Sequence, residues 1–266
     1  MLSLEAQGMS VARVDGQTIN ILNIDDAIHS VRARLRAGRG FTFATLNLDH
    51  LVKLRADSAF QTAYARATFV SADGAPVAAL ARRQVPRIAR TTGADLLIPL
   101  CRMAAREGVK VALFGSSEQS LALAAARLRA AAPGLDIVLT TSPAFGFDPR
   151  SREADAFGAA IARSGARLCF VCLGAPKQEI FADRMAQAHA GIGFVGVGAA
   201  ADFQSGAQFR APQVIQSIGL EWAWRLASQP RRLFGRYAQC AALLARLWVR
   251  EKMDPVRPSS VQAPGG

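Results

Sequence analysis

Metal-binding and membrane-spanning signatures are scarce in this chain of 266 residues. The three histidines, His29, His50 and His189, are scattered, and neither H-E-x-x-H nor D-x-D occurs, so no familiar metal-ligand spacing is present. Four cysteines fit a reducing compartment with no disulfide framework. Cys169 and Cys172 form a C-x-x-C, but three residues apart on a strand they point to opposite faces, which makes them buried apolar thiols. No apolar run nears the roughly 20 residues that span a bilayer; the best, from Cys240 to Val249, is interrupted by Arg246. The start, MLSLEAQGMSV, has no basic n-region and carries Glu5, unlike a secretory leader. Acidic residues are also short: 20 Asp and Glu face 32 Lys and Arg, giving a net charge of +12. The expectation is a cytoplasmic protein with an anionic partner, whether nucleic acid, a membrane surface or a phosphorylated substrate.

Hydrophobic content of 51% suffices for a large core, about one domain plus an appendage. Apolar runs at 41–48, 67–74, 109–115, 135–142, 167–174 and 191–198 read as strands. Between them lie helical patterns, such as the segment from Asp49 to Ala65 with Leu51, Leu54, Ala59, Phe60, Ala63 and Tyr64, and the Ala/Leu-rich stretch from Ser117 to Ala132. The alternation predicts an α/β fold with a doubly wound, mostly parallel sheet, Rossmann-like, over residues 1–210. From RAPQ (210–213) to Lys252 only helix is expected, broken at Pro230, so 211–252 forms a helical C-terminal appendage and 253–266 a disordered tail. All three tryptophans, Trp222, Trp224 and Trp248, lie there beside Arg225, Arg231, Arg232, Arg236, Arg246 and Arg250. Leu233, Tyr237, Ala241, Leu244 and Trp248 make one apolar stripe. It fits a helix packed on the core, and equally a helix lying on an anionic membrane.

Three strand ends carry polar residues: TLNLDH (45–50), SADGAP (71–76) and LGAPKQE (173–179). Ligands of open α/β sheets bind at the carboxyl ends of strands, which makes these ends a candidate site. Asp73, just before Gly74 and Pro76, is placed to present its carboxylate to a cleft, or to serve as a turn-forming residue. Pro176 and Glu179 read equally well as a helix start. GVGAAADF (196–203) contains Gly196-x-Gly198-x-x-Ala201, close to a dinucleotide fingerprint. The QSGAQFRAP that follows is a poor helix, so a pyrophosphate would lack its helix terminus and the glycines read as a tight loop near a ligand.

Taken in order, TLNLDH, SADGAPV, RTTGADLL (90–97), VALFG, LGAPKQE, GVGAAADFQSG, RAPQ and GLEWAWRLASQPRRLFGRY (219–237) resemble the WecG/TagA/CpsF family of bacterial glycosyltransferases. The first forty residues and the tail carry none of these motifs. The resemblance implies inverting, metal-independent transfer of a sugar from a nucleotide diphosphate donor, UDP-linked by expectation, to a polyprenyl-diphosphate-linked sugar, without a cofactor, on the inner face of the membrane. It implies Asp73 as general base with Thr45 and Asn47 beside it, and Arg90 and Gln178 on the donor, Lys177 and Glu179 orienting the loop. Gly196, Gly198 and Asp202 are assigned to the substrate. Arg225, Arg231 and Arg232 are the candidates to meet the charge growing on the departing diphosphate. Self-association is left open. Two other readings remain: a nucleic-acid-binding protein, suggested by the charge of +12 but lacking interleaved exposed aromatics, and a NAD-dependent oxidoreductase, which needs the Gly196 loop to hold a dinucleotide.

Overall fold

A computed structural model describes residues 11–253 apart from Ile218 and Gln229, and apart from the side chains of Ser217, Arg225, Arg232 and 251–253. Of the tail expected over 253–266, Met253 ends a helix and the rest lies outside the described residues. Six strands, β3 (Phe41–Leu46), β4 (Phe69–Ala72), β5 (Val111–Gly115), β6 (Ile137–Thr141), β7 (Leu168–Cys172) and β8 (Gly193–Gly196), pair in the order β4-β3-β8-β7-β5-β6. Every pairing is parallel. The mostly parallel, doubly wound arrangement read from the sequence is therefore the fold. A two-residue turn at Asp15 and Gly16, both at positive φ, closes a separate antiparallel hairpin of β1 (Ala12–Val14) and β2 (Gln17–Ile19), as hairpin turns of this length require.

Strand residues alternate between two buried faces. Phe41, Phe43, Leu113, Phe170 and Val195 meet α1 (Ile24–Arg36), α5 (Gly93–Arg106), α6 (Glu118–Ala131) and α9 (Ala200–Ser205) on one face. Ala44, Leu46 and Val70 on the other meet α2 (Leu48–Leu54), α3 (Ser58–Arg66) and α4 (Ala75–Arg82). Phe114, Val171 and Phe194 face α7 (Arg152–Arg163) and α8 (Lys177–Ala188). Cys169 and Cys172 do fall in opposite clusters, and the four cysteines are free and buried.

Two expectations need correction. The helical segment from Asp49 to Ala65 is two helices, because Asp57 in extended backbone accepts the Phe60 N–H and starts a new one; a good N-cap outweighs continuous apolar periodicity. The appendage is helical, as α10 (Gln213–Ser217), α11 (Glu221–Ser228) and α12 (Pro230–Met253), but the buried stripe of α12 is Leu233, Cys240, Leu243 and Leu247. Ala241 and Trp248 are exposed and Tyr237 and Leu244 half-buried. Both stripes have helical spacing, and packing against α2, with Leu243 and Leu247 entering the core cluster of Leu51 and Leu54, selects between them. Among the described residues no helix is long and apolar enough to cross a membrane.

Leu243 is 2% exposed in that cluster, so Leu243→Ala should cost about 2–4 kcal/mol, the range for deleting a buried leucine side chain. The loss should appear as a lower thermal midpoint and as faster proteolysis within α12 than within the sheet. An unchanged midpoint would show that α12 rests on the core without binding it.

Candidate functional site

The ends of β3 and β4 lie side by side because Thr45 pairs with Ser71 and Leu46 with Ala72. One further bond, from the Asp73 N–H to the Leu46 carbonyl at 2.8 Å, carries the ladder past the strands. Asp73 then enters the site at Gly74, whose φ of 83° only glycine adopts without strain. The Thr45 hydroxyl donates to Asp73 Oδ2 at 3.3 Å and the Asn47 amide donates to the same oxygen at 3.4 Å. Asn47 is also the N-cap of α2: its Oδ1 accepts the His50 N–H at 3.0 Å. Capping fixes which end of the amide is oxygen, and so turns the NH₂ group toward Asp73.

The backbone next to Arg90 is held at the end of β4, because Thr91 donates its N–H to the carbonyl of Ala72. The Arg90 guanidinium is 3.2 Å from Glu221 of α11 and 4.0 Å from Asp95. Arg210 lies 2.6 Å from Asp95 and 3.7 Å from Glu221, completing a half-buried group of two cations and two anions. Burial pushes the Asp95 carboxyl up, but the charge and hydrogen bond of Arg210, with those from Thr92, outweigh it and hold the carboxyl below its ordinary value. Arg210, Asp95 and Glu221 were not singled out from the sequence, although each sits inside a quoted motif, RAPQ, RTTGADLL and GLEW. Their opposite charges were the available signal.

At the end of β7, Gln178 is 3% exposed. Its Oε1 accepts the Gly198 N–H at 3.0 Å and its Nε2 donates to Glu179 Oε1 at 2.7 Å. Gly196 has no side chain because a Cβ would lie 3.0 Å from the Gln178 amide. The Gly196 and Gly198 loop thus houses Gln178. It opens directly into α9, a helix of six residues that ends at Ser205, so QSGAQFRAP is a poor helix as expected but the loop does have a short helix after it. Asp202 on α9 is bonded to the Ser116 hydroxyl at the end of β5 and to Gln208 Nε2 at 2.9 Å. No hydrogen bond or ion pair described here joins it to the Asp73 group. Arg231 is exposed on the first turn of α12, while the side chains of Arg225 and Arg232 fall outside the described residues.

Behind these strand ends, His50 Nδ1 lies 2.6 Å from the Tyr64 hydroxyl, which donates to the Thr45 carbonyl at 3.1 Å. Glu179 Oε1 is 3.9 Å from His50 Nδ1. Burial lowers the His50 pKa to about 4 and raises that of Glu179 to about 7, with Gln178 opposing the second shift. Between those values both groups are neutral, and the contact is not an ion pair. His50 had been passed over as one scattered histidine; its place in TLNLDH was the only hint.

A doubly wound α/β sheet with a carboxylate, an amide and a guanidinium gathered at the carboxyl ends of its strands has the layout of a group-transfer enzyme. The chain belongs to the WecG/TagA/CpsF family of glycosyl transferases, whose family model matches residues 12–258. The match includes most of the first forty residues, which carry no recognisable motif.

The two shifted groups have opposite effects on stability. The His50 contribution is present above its unfolded pKa of 6.5 and is lost as pH falls toward about 4. That of Glu179 is present below 4.5 and is lost as pH rises toward about 7. Each has a slope of up to about 1.4 kcal/mol per pH unit, so from pH 4.5 to 6.5 they nearly cancel. Glu179→Gln should unmask the His50 slope, making the variant more stable at pH 6.5 than at pH 4.5 relative to the parent. Parallel pH profiles of denaturant unfolding for the two proteins would contradict the assignment.

Proposed function

We propose that this glycosyltransferase moves a sugar from a UDP-linked donor to a polyprenyl-diphosphate-linked sugar in cell-surface polysaccharide synthesis, inverting the anomeric centre in one displacement without a metal. Asp73 takes the proton of the acceptor hydroxyl. The acceptor oxygen bonds to the anomeric carbon as the bond to the diphosphate oxygen breaks, and the electron pair leaves with UDP. The single observation that carries this reading is the Asp73 carboxylate at the end of β4, held by the Thr45 hydroxyl and the Asn47 amide. Both donors hold the carboxyl group at the strand end, where a base could meet an acceptor hydroxyl.

Arg90 and Gln178 bind the donor in this reading, with Gly196, Gly198 and Asp202 forming the floor of its pocket. Arg225, Arg231 and Arg232 face the leaving diphosphate, where guanidinium groups stabilise charge as it develops. Residues 211–252 act as an appendage that completes the site; support for this comes from Glu221 of α11, which touches Arg90. The same appendage docks on the anionic inner face of the membrane. Seven of the nine large hydrophobic side chains exposed among the described residues lie between Phe209 and Val249, including Trp222, Phe234 and Trp248. Arg246 and Arg250 are exposed among them.

A thermal-shift screen of nucleotide sugars tests the class directly, since a donor that binds only the folded state raises stability with its affinity. With the donor so found, Asp73→Asn should keep the fold and UDP binding and lower turnover at least about 10²-fold, the low end for a lost general base. Arg90→Ala and Gln178→Ala should instead weaken UDP binding, Arg90→Ala by about 1.5–3 kcal/mol as a charge-assisted contact is removed. Near-normal transfer by Asp73→Asn, or unchanged UDP affinity in both other variants, would overturn the corresponding role.

Membrane docking has a separate test. Replacing both Arg246 and Arg250 by Glu should weaken binding to phosphatidylserine-containing vesicles by at least about 2 kcal/mol, at about 1 kcal/mol per basic residue. Binding of the parent should also fall as salt rises. Equal binding of parent and variant would remove these arginines from the membrane face.

A further inference from the structure

We infer that His50, Tyr64 and Glu179 form a buried positioning frame for the transfer, fixing the two strand ends between which donor and acceptor meet. The inference rests on the roles proposed above for Asp73 and Gln178. The three side chains come from α2, α3 and α8 and are each about 5% exposed. On one side, the Tyr64 hydroxyl donates to the backbone carbonyl of Thr45, the residue whose own hydroxyl reaches Asp73. With that proton committed, His50 donates from Nδ1 to the Tyr64 oxygen, 2.6 Å away. On the other side, Glu179 Oε1 accepts from Gln178 Nε2, while the Gly198 N–H holds the opposite end of the amide. Glu179 and the Gly198 N–H therefore hold the Gln178 amide from its two ends, and Tyr64 anchors the backbone of Thr45 where it leaves the sheet.

Packing alone does not explain the trio. Phe60 already fills the space, 5.1 Å from the Tyr64 ring and 5.6 Å from the His50 ring, and apolar side chains of similar volume typically stabilise such a site better than buried polar ones. Glu179 Oε2 is buried with no hydrogen-bond partner among the described residues, a standing penalty of the kind native cores avoid unless the group serves something else. Lys53 bridges the same two walls, donating to the Ala175 carbonyl in LGAPKQE at 3.0 Å.

The test uses Tyr64→Phe, Glu179→Leu and Glu179→Gln in the full chain, each checked for folding by circular dichroism and thermal unfolding. Calorimetry with UDP and transfer kinetics with the donor selected by the thermal-shift screen provide the readouts. Tyr64→Phe keeps the ring and should lower kcat about tenfold with UDP affinity unmoved, the upper end for one lost hydrogen bond. Glu179→Leu should weaken UDP binding about tenfold, and Glu179→Gln, which retains an acceptor for Gln178, should recover most of that loss. A merely structural trio would lower the midpoints while leaving kcat and UDP affinity of the folded molecules unchanged, and that result overturns the frame. If Glu179→Leu does not fold, Tyr64→Phe decides alone. Asp73→Asn is assayed alongside: full activity there, with the frame variants impaired, sinks the base assignment and not the frame.

Discussion

The parallel pairing of β3 with β4 on one side and β8 on the other is the constraint on which the site depends. It brings Thr45, Asp73 and the Gly198 loop to the same edge of the sheet. Register matters as much as direction. Thr45 is opposite Ser71, and Asp73 adds one more backbone bond to Leu46 before the chain turns. A slip of one residue would exchange the faces of β4, burying Asp73 or swinging it away from Thr45. The alternation of Phe69 to one core cluster and Val70 and Ala72 to the other opposes such a slip. The hydrophobic pattern that folds the sheet is thus what positions the carboxylate.

Local helix chemistry then sets orientation. Asn47 ends β3 and caps α2 in the same conformation, so an interaction worth about 1 kcal/mol to the helix also points an amide donor at Asp73. Thr92 plays a comparable part for α5. Its capping box with Asp95 anchors the carboxylate that Arg210 and Arg90 share. Gly93 lets that helix start against Val197, where a Cβ would come within 2.8 Å of backbone. One wall of the candidate site is therefore built from the first turn of α5 and the loop after β8, pressed together without intervening side chains.

How legible this was from the sequence follows from the range of each interaction. The six strands were readable because apolar runs bounded by Gly, Pro and polar residues are local signals, and TLNLDH and SADGAP could be grouped because strand ends of a parallel sheet must share an edge. The family resemblance was needed to single out Thr45 and Asn47 as the neighbours of Asp73. The break at Asp57 was obscured because apolar periodicity continues through it. The face of α12 was misjudged by about one position, since Leu243 and Leu244 serve two stripes equally well until a partner surface exists. The charge group of Arg90, Asp95, Arg210 and Glu221 spans up to 131 residues of chain. Composition shows that arginines outnumber acids but not which acids they meet. The pairing of His50 with Tyr64 and Glu179 was hidden for another reason: a neutral buried histidine has no neighbour in sequence to mark it.

Two of the ion pairs made by the appendage reach residues near the candidate site. Glu221 at the start of α11 reaches Arg90, and Arg236 on α12 lies 3.4 Å from Asp49, which also binds Lys53 at 2.7 Å. Lys53 in turn holds the Ala175 carbonyl at the end of β7. Partly exposed ion pairs of this kind contribute little to stability individually, whereas Leu233, Cys240, Leu243 and Leu247 supply the buried area that keeps α12 in place. The charges have a different consequence. They tie α11 to Arg90 through Glu221, and α12 to the strand-end loop through Asp49 and Lys53. The same helices also expose Trp222, Phe234 and Trp248, so the appendage that reaches the candidate site also carries most of the large apolar side chains exposed among the described residues.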